Sequence, residues 1–247
     1  MPDTDSKPAL LDRAIKAQLW PLLKEHGFSR FTARNAWRFH ADRIDVVHVQ
    51  AFSVADAGYT RRGLDSFSVN LGCHLRYIPS HAGAIRERNG LPLPEESQCL
   101  LRRRILDTRR PSFLAWLAAP RRPRTVWPVG GGAADLEHSM TMVGKGLLDQ
   151  GLPWFAGFAD PREALRIFLD EAEDMERLWG FGNRSSPLRS YCIGFTALAA
   201  GAHALAAEHL ERALGMPSYN GDARVRAALG VARGKLAGVG GGRLPHA

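Results

Sequence analysis

Two histidines, two carboxamides and a run of arginines are the residues of this chain whose types and spacing suit chemistry. His48 and Gln50 alternate within "VVHVQAFS", Val46 to Ser53; Asn70 and His74 alternate within "SFSVNLGCHLRY", Ser66 to Tyr77. Both stretches show the period of two that sends every second side chain to the same face of a strand. On adjacent antiparallel strands same-face side chains stand about 4.5–5.5 Å apart, so the four residues gather into one polar patch where the register allows it. Imidazole exchanges a proton near neutral pH and carboxamides both donate and accept hydrogen bonds, so the patch suits a polar ligand. Two histidines with no third ligand at a fixed spacing do not make a zinc site, and no metal is expected. The plainer alternative is that Val46 and Phe52 share that face and the set is packing or surface.

The second candidate is basic. Arg102, Arg103 and Arg104 are followed by Arg109, Arg110, Arg121, Arg122 and Arg124, with Phe113 and Trp116 between them. Guanidinium forks fit carboxylate or phosphate, and aromatic rings between them suit stacking on bases. Strand alternation turns Arg103 away from its two neighbours, which divides the cluster. The plainer reading is a solvated basic face with ion pairs to the acidic stretch from Asp170 to Glu176. Arg102, Arg103, Arg104, Arg121 and Arg122 are therefore the expected contacts for an anionic partner, a protein first and nucleic acid second.

Other chemistry finds less support. Cys99 beside the arginines suits a lowered thiol pKa, but a cysteine in an apolar strand is ordinarily inert. Ser66, Ser185 and Ser186 lack the G-x-S-x-G surroundings of a nucleophile elbow. "VGGG", Val129 to Gly132, precedes a helix but carries no nucleotide-binding pattern, and no cofactor is expected.

Composition sets the frame. The chain has 247 residues and is 45% hydrophobic, enough for one large domain with or without a helical appendage. Its formal charge of +8 raises nucleic-acid binding, yet only five of the 33 basic residues are lysine. Arginine spread throughout an Ala- and Gly-rich chain reads as codon usage more than as a phosphate-binding face. No secretory leader is expected, because Asp3 and Asp5 precede any lysine and no apolar core follows. The longest apolar run, "YCIGFTALAAGAHALAA", is shorter than a bilayer-spanning helix needs. Three distant cysteines read as reduced thiols, and the expected location is the cytoplasm without membrane attachment.

The elements that must position these residues are legible in outline. A helix opens near Ser6, runs through Leu11, Ile15, Leu19 and Leu22, bends at Pro21 and stops at Gly27. "FSRFTA" and "AWRFHA" predict a hairpin about Arg34-Asn35, followed by the two strands quoted above. A Gly- and Pro-rich loop spans Pro79 to Pro94, "CLLRRRIL" is a weak strand, and "TVWPVGG" an edge strand. From Asp135 the period turns helical, ending near Gly151. Asp160, Pro161 and Glu163 suggest a capping box, and Ser186 and Pro187 open a long helix broken near Gly201.

The run "LKEHGFSR", Leu23 to Arg30, then "WRFH", "VVHVQAFS" and "SFSVNLGCHL", resembles the bacterial domain-of-unknown-function 4304 family. Gln50 and Leu71-Gly72 occupy places that family fills with a glutamine and a small-residue step. "QCLLRRRI", "VWPV" and "DLEHSM…GLLDQGLPWFAGF" look like its later segments. The resemblance covers roughly residues 8–170. It implies an α+β domain and supplies no catalytic residue or activity.

The expected fold is α+β: an N-terminal helix packed on a mainly antiparallel meander sheet, then a C-terminal helical segment. The expected division is an α+β domain over 8–180 and helices over 187–237, with tails at 1–6 and 238–247. The expected function is a non-catalytic binding or protein-interaction domain. The alternatives are an enzyme with His48 or His74 as general base between sheet and helices, and a polyanion binder using the arginines.

Overall fold

Leu11, Ile15 and Leu19 are all buried, as their four-residue spacing predicts, but the helix that carries them is not uniform. The computed structural model describes residues 7–52, 66–80, 83–107, 125–128, 133–170 and 187–240. Helix α1 (Lys7–Ala14) passes through a π turn (Ile15–Leu19) into α2 (Trp20–Glu25). Pro21 does not break it. Proline lacks an N–H and crowds the carbonyl four residues back, and the wider turn placed just before it relieves both problems. The extra residue in that turn shifts the buried position from Leu22, which is half-buried, to Leu23. Gly27 then ends the helix at φ +86°, a left-handed conformation that favours glycine.

Five strands form an antiparallel meander in the order β1 (Arg30–Phe31), β2 (Asn35–Phe39), β3 (Arg43–Ala51), β4 (Ser66–Leu75) and β7 (Leu101–Arg104). β8 (Trp127–Pro128) pairs with β4 through Ser66 and Phe67. Between β4 and β7 lies a small hairpin of β5 (Glu87–Arg88) and β6 (Leu91–Pro92), turned by Asn89 and Gly90, both at positive φ. The Gly and Pro content predicts a loop here, but Asn-Gly is also the strongest short hairpin signal, and the hairpin forms.

One face of the sheet is dry, as predicted: Phe67, Val69, Leu71, Cys73 and Leu75 are all buried. Against it lie α3 (Ala133–Gly146), a second π turn (Leu147–Gly151) and α4 (Leu152–Ala156). The helical path therefore continues through Gly151 instead of ending there. Glycines allow the close approach: a Cβ on Gly146 would sit 2.6 Å from Ile105 Cγ2, and one on Gly151 would sit 3.5 Å from Leu71 Cδ1. At the sheet margin the Gln150 carboxamide accepts from Leu106 N and donates to Leu106 O, both at 3.1 Å.

The described residues divide into two compact units, one holding the sheet and the helices just named, the other holding Leu75–Ala84 and the chain from Ala156 onward. In the second unit α5 (Pro161–Leu169) is capped by Asp160, whose carboxylate accepts from Arg162 N at 2.8 Å. Glu163 does not complete a capping box; it pairs with Arg166 at 2.7 Å instead. The predicted break falls at Gly201, φ +78°, between α6 (Pro187–Ala199) and α7 (His203–Leu214). The last helix, α8 (Ala223–Gly240), follows. Tyr191 stacks on Tyr219 with ring centroids 4.6 Å apart and donates its hydroxyl to Pro79 O at 3.0 Å, while Arg224 reaches Ser80 O. Among the described residues no helix is long and apolar enough to cross a membrane. The acidic stretch expected to pair with arginines lies, beyond Asp170, outside the described residues.

Candidate functional site

Register decides which side chains share the outer face of the sheet. In the β2–β3 hairpin Asn35 lies opposite His48, Trp37 opposite Val46 and Phe39 opposite Ile44. Directly opposed residues point the same way, so His48 shares its face with an apolar group. Trp37, Ile44, Val46 and Cys99 form a buried cluster there, with Phe39 and Leu93 against it. The segment from Leu93 to Cys99 lies across this half of the sheet. Trp37 Nε1 donates to Pro94 O at 2.8 Å, and Gly72 leaves room for Cys99, whose Sγ would be 2.7 Å from any Cβ at that position. The expected wet face is therefore partly covered, and Ser66, Ser68 and Asn70 are buried in spite of their polarity.

The polar half is organised as two short hydrogen-bonded chains. His48 Nδ1 lies 2.8 Å from Asn35 Oδ1. Asn35 Nδ2 points at Thr32 Oγ1, 3.4 Å away, and its oxygen faces the ring. In that orientation the pair is made through an Nδ1 proton, and Nε2 carries the lone pair. Burial, opposed by Glu96 and helped by Arg34, holds the His48 pKa below the ordinary imidazole value. In the second chain Ser68 Oγ donates to Asn70 Oδ1 at 3.2 Å, and Asn70 Nδ2 donates to Gln50 Oε1 at 3.0 Å. The Gln50 amino group is left with no partner among the described residues.

The two residue sets singled out separately in the sequence meet on this face. β7 sets Arg104 opposite Asn70 and Arg102 opposite Gly72. Arg102 is bound by Glu96, Nε to Oε1 at 2.6 Å. Arg104 is exposed and has no partner among the described residues. Arg103 lies opposite Leu71, hence on the helix-covered face, as alternation predicts. Arg121 and Arg122 lie outside the described residues. His74 sits on the same strand as Asn70 but four residues along, on the order of 13 Å away at the usual rise. The structure thus joins Gln50 with Asn70 and brings Arg104 beside them. It sets His48 in its own chain with Asn35 and does not bring His74 to the group.

Asn35 and Thr32 escaped the sequence reading. Their signal is the turn between β1 and β2, where Thr32 Oγ1 accepts from Asn35 N at 3.0 Å and so fixes the residue that orients His48. A larger omission is Asp45, which has no exposed surface and is held by Arg38 Nη2 at 2.8 Å, His40 Nε2 at 2.9 Å and Arg43 Nε at 3.2 Å. A lone acid inside "RIDVV" was its signal, since a buried carboxylate needs charged partners. Cys99 has no activated thiol: burial, aided by Glu96, pushes its pKa well up. Among the described residues no three of His, Cys, Asp and Glu converge as a metal site.

A family model described as a domain of unknown function (DUF4304) matches residues 19–157. The match takes in the whole sheet, the segment over it and the helices behind it. No curated protein and no solved structure matches the chain.

Proposed function

The chain belongs to the DUF4304 family, and on that premise we propose that it is a non-catalytic binding domain whose partner, a protein, docks on the outer sheet face at His48, Gln50 and Arg104, with the buried Asn70 orienting Gln50. One observation carries the reading. Among the described residues, two oriented hydrogen-bond chains on this face end in unfilled valences, His48 Nε2 and the Gln50 amino group, rather than closing on each other. Such groups are preset for a ligand, because the protein has already fixed their direction.

The observation also favours binding over the alternatives. A general base at His48 needs a second group poised to act on the same substrate. His74 is too far along β4 to serve, and Glu96 is tied to Arg102. A phosphate-tracking row needs adjacent cations on one face, whereas Arg102 is neutralised and Arg103 points to the other side.

The test is affinity capture from the source cell with the intact protein and with Gln50→Ala and Arg104→Glu. A co-purifying protein should be retained by the parent and lost by both variants, while circular dichroism stays unchanged. Arg104→Glu should keep the parent's stability in urea, and Gln50→Ala, which unpairs the buried Asn70 amide, should lower it by about 1–3 kcal/mol without unfolding the protein. Equal retention by all three would remove this face from binding.

A further inference from the structure

The two open valences have opposite polarity, and that restricts what fills them. Resting on the binding role proposed above, we infer that the face accepts an acidic polypeptide segment: the N–H and C=O of one extended residue against His48 and Gln50, with a carboxylate against Arg104.

With Asn35 Oδ1 facing Nδ1, that nitrogen holds the proton of the neutral ring, and His48 offers an acceptor at Nε2. Gln50 offers a donor pair, because its oxygen already receives the Asn70 amide. The two residues are two apart on β3, so their side chains leave the same face about 6.6 Å from each other at the backbone. An extended residue turns its own N–H and C=O to the same side, the complement of this pair. Other ligand classes leave something unmet. A phosphate dianion supplies acceptors only and would face the His48 lone pair with another. A metal ion would suit Nε2 and be repelled by the Gln50 amino group. A sugar hydroxyl satisfies the pair but leaves Arg104 unanswered.

Arg104 supplies the charge preference. It stands opposite Asn70 on the neighbouring strand, on the same face, exposed and unpaired among the described residues. A guanidinium there grips a carboxylate in a fork. The nearby acids do not oppose it. Glu96 is paired with Arg102, and the Glu95 side chain accepts from the backbone of its own turn.

Heteronuclear NMR on the full chain tests this with two blocked peptides, acetyl-Gly-Glu-Gly-Glu-Gly-amide and its lysine counterpart, and with inorganic phosphate. In the absence of peptide, His48 Nε2 should resonate as an unprotonated nitrogen. The glutamate peptide should shift His48 Nε2 and the Gln50 side-chain amide together, and Arg104→Gln should weaken it about fivefold, the worth of one exposed ion pair. A protonated Nε2, equal binding of the lysine peptide, or phosphate reproducing both shifts overturns the inference. If capture of a partner depends on Gln50 while neither peptide shifts the face, the ligand class is wrong and the binding role stands. If capture is also indifferent to Gln50, both fall.

Discussion

Asp45 carries more of the sheet's charge balance than any residue at the candidate site. It is wholly buried, and Arg38, His40 and Arg43 converge on its two oxygens. Arg38 also stacks over Phe28 and Phe155, with its guanidinium carbon 5.1 and 5.6 Å from the ring centroids. Removing the acid leaves buried cations uncompensated, which costs about 3–5 kcal/mol. Asp45→Asn should lose that much in urea unfolding, whereas Asp12→Asn, at a half-exposed pair with Arg34, should lose under about 1 kcal/mol. His209 makes the opposite demand. It is buried, its Nδ1 has no partner among the described residues, and burial together with Arg212 and Arg189 lowers its pKa. The unfolded chain then binds a proton, below an imidazole pKa of about 6.5, that the folded chain refuses. Stability should be constant above that pH with respect to this group and fall as pH drops below it. Urea midpoints at pH 7.5 and 5.5 measure the loss, and His209→Leu should shrink the difference. The lone acid inside "RIDVV" signals a buried carboxylate, but neither it nor His209, between Glu208 and Leu210, says which charged groups will face it.

Among the elements, the turn from Glu96 to Gln98 depends on an absent side chain. Gly72 on β4 lets Cys99 and Glu96 lie directly on the sheet: a Cβ there would meet Cys99 Sγ at 2.7 Å, Cys99 Cβ at 3.0 Å and Glu96 Cα at 3.3 Å. Gly72→Ala should lift this segment, cost about 1–3 kcal/mol by overpacking, and break the Arg102–Glu96 pair. Loss of the Trp37 near-ultraviolet signal, whose indole is fixed by Pro94 O, would report the lifting. Retained stability and spectrum would show the contact to be soft. The family's small-residue step at Leu71-Gly72 thereby acquires a physical reason. The strands themselves were readable because alternation marks a buried face, and Phe67 to Leu75 obeyed it. The cover over the other face was not readable. Ser68 and Asn70 look like surface residues in a strand pattern, and only the tertiary placement of the Leu93 to Cys99 segment and their own hydrogen bonds reconcile them with burial. The π turn before Pro21 was hidden for a similar reason, since proline announces a disturbance without saying which turn absorbs it.

At the scale of the whole molecule, the succession of helix, antiparallel sheet and helices was legible from periodicity alone. The grouping of residues was less so. Leu75–Ala84 belongs with the C-terminal helices, tied there by the Tyr191 hydroxyl on Pro79 O, a contact 112 residues away in sequence that no local pattern announces. The Gln150 carboxamide reaches across 44 residues, meeting both the N–H and the C=O of Leu106 just beyond β7. It imitates the strand that would otherwise come next. Without it, the sheet margin would offer an unmet peptide group to any neighbouring chain, including another copy of this one. Gln150→Ala should leave the monomer nearly as stable yet raise light scattering with protein concentration, and unchanged scattering would deny the residue this part. A rise in scattering would make this single amide the guard that keeps one molecule's margin from extending the sheet of the next.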